Sequence, residues 1–113
     1  MAEIKPVETD NNRFQGQVEW ADVDSGDTFQ EAGIGQYPSQ TLQISGTLSG
    51  ATVGLEGSND GTNWVDLTTD GSTAIDGLGI FWVWETPRYV RPSLSGGDGS
   101  TDLTFTIVFS KLI

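Results

Sequence analysis

From Arg13 onward, apolar residues recur at every second position in short runs, and each run stops at a cluster of Gly, Asp, Asn or Ser. A two-residue period puts one face of an extended strand toward a core, and no window of ten residues carries a helical period instead. The clearest run is Thr41 to Leu48, with Leu42, Ile44 and Leu48 on one face and Thr41, Gln43, Ser45 and Thr47 on the other. After Ser49-Gly50, the run from Ala51 to Gly57 repeats the alternation with Val53 and Leu55 inward, so the two read as a hairpin. Asn59-Asp60-Gly61 is the next turn signal, and Trp64 to Leu67 the strand after it.

In the last run Leu103, Phe105, Ile107 and Phe109 alternate with Thr104, Thr106 and Val108, a large apolar face expected in the middle of a sheet. Ile80 to Trp84 is apolar on both faces. Arg88 to Ser95 contains Pro92, which lacks an N–H and so marks an edge or a strand end. Weaker strands at Arg13 to Asp22 and Thr28 to Ala32 bring the count to about eight, spaced roughly eight to twelve residues apart. The expected fold is all-β, a small antiparallel β-sandwich of jelly-roll-like or Greek-key type. Residues 13–113 form its single domain.

Met1 to Asn12 breaks the pattern. It holds Pro6 and scattered charges, and Ile4 and Val7 are too isolated to make a face, so it reads as a flexible N-terminal arm. Such an arm is either a free terminus or a segment that orders on a partner.

Composition narrows the chemistry. With no Cys and no His, the chain offers no disulfide, no thiolate or imidazole metal ligand and no near-neutral imidazole base. Sixteen acidic residues against five basic ones give a net charge of −11, a field that repels nucleic acid and anionic membrane. The first residues lack the apolar stretch of a signal peptide, so synthesis and retention in the cytoplasm are expected.

The carboxylates could supply a glycosidase-type acid pair, but no two are set apart from the rest, and most stand in turns, where Asp caps its own backbone. Asn59-Asp60-Gly61 and Asp98 to Asp102 offer oxygen donors on Gly-bent loops suited to calcium, yet lack the twelve-residue spacing of an EF-hand. Tight turns explain them more simply. No catalytic residue, metal ligand or cofactor site is therefore assigned, and the chain is read as a non-enzymatic binder.

Two segments remain as binding surfaces. Trp82 and Trp84 fall on one side of a strand with Phe81 and Val83 on the other, so one apolar face exceeds what so small a core can cover. With Trp64 and Tyr89 these rings could stack sugars, or they could pack inside. Arg88 and Arg91 are two of only five cations and lie three positions apart, placed to pair with an acidic partner or with the domain's own acids. Ile4 and Val7 of the arm, Trp82, Trp84, Arg88 and Arg91 are the candidate partner-binding residues.

The stretch Leu55-Glu56-Gly57-Ser58-Asn59-Asp60-Gly61-Thr62-Asn63-Trp64, followed by Pro87 to Pro92 and Gly96 to Leu103, resembles small virion proteins of tailed bacteriophages. It looks in particular like their capsid decoration, or cement, proteins. The resemblance runs from about Gln43 to Ile113; the N-terminal third matches no family. Similar Ser-Asn-Asp-Gly stretches occur in discoidin-type carbohydrate- and lipid-binding domains and in phage tail proteins, but this chain lacks the bracketing cysteines of the discoidin pattern. The resemblance implies a trimer on the outer capsid surface of the virion that clamps neighbouring major capsid protein subunits. The alternative it leaves is a carbohydrate- or receptor-binding module of a phage tail or fibre.

Overall fold

The computed structural model describes residues 2–9, 15–33 and 39–110. The strands are β1 (Glu3–Ile4), β2 (Val7–Thr9), β3 (Gln15–Val23), β4 (Thr28–Phe29), β5 (Ala32–Gly33), β6 (Ser39–Thr47), β7 (Ala51–Ser58), β8 (Val65–Asp66), β9 (Gly79–Trp82), β10 (Tyr89–Gly96) and β11 (Asp102–Ser110). No helix occurs among the described residues. A five-stranded sheet, in the order β2-β3-β11-β6-β9, lies against a four-stranded sheet, β5-β10-β7-β8, and β1 pairs with β4 in parallel. The protein is an all-β sandwich. The strands beyond the eight expected are two- or three-residue pieces, too short for any alternation to register.

The register explains the core. Across the five-stranded sheet Val18, Ile107, Leu42 and Phe81 stand side by side, and so do Trp20, Phe105 and Ile44. Their alternate neighbours, Glu19-Thr106-Gln43-Ile80 and Gln17-Val108-Thr41-Trp82, therefore face outward. Val53, Leu55, Leu67 and Val90 close the core from the other sheet. β11 is central, as its apolar face requires. β10 meets β5 only at Tyr89 and Val90, which leaves Pro92 on a free side opposite Leu55.

The hairpin expected at Ser49-Gly50 is corrected. The turn is local and real: Ala51 N–H donates to the Leu48 carbonyl at 3.0 Å, and Ser49 and Gly50 have φ of 46° and 86°. But β6 has β11 on one side and β9 on the other, so β7 has no place beside it and enters the opposite sheet. Two strands that cross from sheet to sheet show the same alternation as a hairpin, because both still turn one face to the same core. The return crossover from β10 to β11 lies alongside, tied by Ser49 Oγ to Asp98 (2.6 Å) and Thr101 Oγ to the Leu48 carbonyl (3.0 Å).

The N-terminal segment carries β1 and β2. Thr28 and Gln30 donate their N–H groups to the carbonyls of Ala2 and Ile4, and the buried Asp27 carboxylate accepts the Ala2 N–H at 3.0 Å. Ile4 is half-buried against the core, and Val7 is exposed opposite Glu19. Met1 and residues 10–12 lie outside the described residues.

Candidate functional site

Large apolar side chains reach solvent mainly along one short stretch: Leu78 is 47 % exposed, Ile80 70 %, Trp82 50 % and Trp84 52 %. The cause is strand parity at the rim of the sheet. Phe81 and Val83 turn inward, Val83 to full burial, so Ile80, Trp82 and Trp84 must turn out. The two indoles meet edge to face, with centroids 5.5 Å apart and planes at 80°. Trp84 is fixed from two directions, by its N–H to the Thr68 carbonyl (2.9 Å) and by the bare backbone of Gly71, over which its ring lies. Glu85 clamps the same loop by accepting the Thr68 N–H and hydroxyl, each at 2.8 Å. The result is an apolar ledge on a braced edge.

The two arginines do not join it. Arg91 pairs with Glu56 at 2.9 Å and lies 3.9 Å over the Trp64 ring, so it serves its own domain. Trp64, half-buried, stacks on that guanidinium instead of entering the core. Arg88 is exposed beside the Tyr89 ring, 5.1 Å from its centroid. Of the six candidate residues only Trp82 and Trp84 are brought together. Val7 is on the same outer face but at the far edge, on β2. Leu78 and Ile80 are not among the candidates; of the apolar run from Ile80 to Trp84 only the two tryptophans are taken as binding residues from the sequence, and the same alternation extends back to Leu78.

The carboxylates of the Asp-rich turns are hydrogen-bonded mostly by the turns themselves. Asp60 Oδ1 accepts the N–H groups of Thr62 and Asn63 (both 2.8 Å) and the Ser58 hydroxyl (2.9 Å), and Oδ2 accepts the Asn63 amide (2.7 Å). These bonds, the Asn63 backbone foremost, hold its carboxyl far below the usual range. The Thr73 hydroxyl, with the Ser72 and Thr73 N–H groups, pushes Asp70 down to about 2. The Ser49 hydroxyl and Ser100 N–H lower Asp98. Partial burial works upward on Glu85, but the Thr68 bonds outweigh it and the net shift is down. Among the described residues no three Asp or Glu gather as a metal-binding group.

A folded-state pKa below the unfolded one stabilises the fold above the unfolded value, and that contribution is lost as pH falls through the folded value. For Asp70 the window runs from 3.8 down to about 2. Stability should therefore drop on acidification from roughly pH 4 to 2, even though protonating the other acids relieves mutual repulsion. Urea midpoints read by Trp fluorescence across that range should fall, and Asp70→Asn should flatten the limb. Midpoints that rise steadily to pH 2 would refute this.

No family model matches the sequence, and no match was found among curated proteins or solved structures.

Proposed function

We propose that this is a structural, non-enzymatic virion protein that binds the outer surface of a tailed-phage capsid as a homotrimer and holds neighbouring major capsid protein subunits together. The observation that carries the binding part is the ledge of Leu78, Ile80, Trp82 and Trp84 on a rigid sandwich. Solvent-exposed indoles are favoured anchors at protein interfaces, where each buries a large area at small entropic cost. The capsid as partner rests on the resemblance of residues 55–64, 87–92 and 96–103 to decoration proteins. A protein of this kind acts by mass action, stabilising the expanded shell because it binds that form and not the precursor.

Carbohydrate binding is the weaker reading. Indoles crossed at 80° share no plane on which consecutive sugar rings could lie, and Trp64 has one face taken by Arg91.

The test is co-sedimentation with expanded and precursor shells of a phage that encodes the chain. Binding to expanded shells only is expected, with Trp82→Ala weakening it by roughly thirtyfold, about 2 kcal/mol. Binding to neither form would sink the proposal.

A further inference from the structure

β9 is the outermost strand of the five-stranded sheet, and its free edge has a definite polarity. Val83 N–H donates to the Gln40 carbonyl at 3.0 Å, in register with Trp82 opposite Thr41. In an antiparallel ladder this parity turns the backbone of Gly79 and Phe81 toward β6 and that of Ile80 and Trp82 away from it. Among the described residues, those outward groups of Ile80 and Trp82 have no backbone partner, whereas the next outward N–H, that of Trp84, is taken by Thr68. Natural edges are blunted by Lys, Pro or a bulge, and residues 78–84 carry none of these. The side chains above this edge are the exposed Ile80 and Trp82.

Charge says what fits there. No Lys or Arg stands between Arg13 and Arg88, while Asp76 precedes β9, Glu85 follows it and Asp70 adjoins the Gly71 that supports Trp84. Glu85 and Asp70, both held ionised by their hydrogen bonds, keep that rim negative at neutral pH. A second copy would bring the same acids and another net −11 to the same edge.

We infer that the open edge of β9 receives an extended segment of another protein, apolar at alternate positions and flanked by Lys or Arg, which adds a sixth strand through the main chains of Ile80 and Trp82. The incoming backbone completes the ladder, its alternate side chains lie against Ile80 and Trp82, and its basic flank at the Trp84 end meets Glu85 and Asp70. The capsid subunit is the supplier of that strand if the function proposed above holds; the edge chemistry stands without it.

The probe is a synthetic peptide of alternating Val and Thr with two Lys at each end, compared with one ending in Asp, added to the isotope-labelled full chain. Amide shifts should centre on Gly79 to Val83, exchange at the Ile80 and Trp82 amides should slow, and the Lys-ended peptide should bind about tenfold tighter at low salt. Ile80→Pro removes an outward N–H that β6 does not use, so it should abolish binding and leave the melting temperature nearly unchanged. Ile80→Thr, which keeps the amide, should retain protection at weaker affinity; if Ile80→Pro fails to fold, this variant and the Trp82 amide decide. Shifts elsewhere, equal binding of both peptides, or a folded Ile80→Pro that binds normally would overturn the inference. So would amides already protected in the free protein with concentration-dependent sedimentation, which means that a second copy fills the edge. Peptide binding without shell binding sinks the virion proposal alone, and shell binding untouched by Ile80→Pro sinks strand addition alone.

Discussion

Replacing Gly46 with alanine will destabilise the fold by about 3 to 5 kcal/mol, a large part of the total stability expected of a domain this size. Gly46 lies on β6 opposite Leu103, with φ at +116°, a conformation that side chains of L-residues rarely adopt. A Cβ there would overlap the Asp102 carbonyl oxygen and sit 3.1 Å from the Leu103 Cα, both backbone atoms of the central strand. Neither can move without opening the ladder where β11 also carries a register shift against β3. Strain and overpacking therefore add. Gly50 is the control: its φ is +86°, but a Cβ would meet nothing within 4 Å, so Gly50→Ala should cost only about 1 kcal/mol. Urea unfolding followed by Trp fluorescence measures both, and equal losses would show that the close approach at Gly46 is not what limits it.

The alternation of 41–48, 51–57 and 103–109 was enough to read the fold class and most of the core, because a period of two is set by the backbone itself. Which strands pair was not legible there. β6 and β7 share one pattern and one turn yet enter different sheets, a choice made by β9 and β11 occupying both sides of β6. That one face of 80–84 would be left uncovered followed from the excess of apolar faces over core, but that it is the face of Trp82 and Trp84 did not, and neither did the fate of the cations. Arg91 is thirty-five residues from its partner Glu56, and only the β7-β10 register sets them opposite each other. The turn motif at 58–63 was legible as a turn; that the Asp60 carboxylate gathers the Thr62 and Asn63 N–H groups, the Ser58 hydroxyl and the Asn63 amide is set by the folded loop.

The four tryptophans divide by role, and Trp20 is the one on which the fold depends. It is fully buried on β3 opposite Phe105, which packs edge to face with Phe29 at 5.5 Å, and its indole N–H donates to the Gln30 carbonyl at 3.0 Å. Trp20→Ala should cost about 3 to 5 kcal/mol, since it removes the largest core side chain beside a rigid aromatic pair that cannot collapse into the space. Trp20→Phe separates the hydrogen bond from the bulk. It keeps most of the apolar contact but releases Gln30, the residue whose own N–H holds the Ile4 carbonyl, so the loss should be about 1 to 2 kcal/mol and localised. Hydrogen exchange should then accelerate at Thr28 and Gln30, the two amides that carry β1, before it does in β11 or β6. Trp82→Ala, by contrast, should change stability by about 0.5 kcal/mol or less, because its ring is half in solvent already. A Trp82→Ala variant as unstable as Trp20→Ala would mean that the ledge belongs to the core, and that its exposure says nothing about a partner.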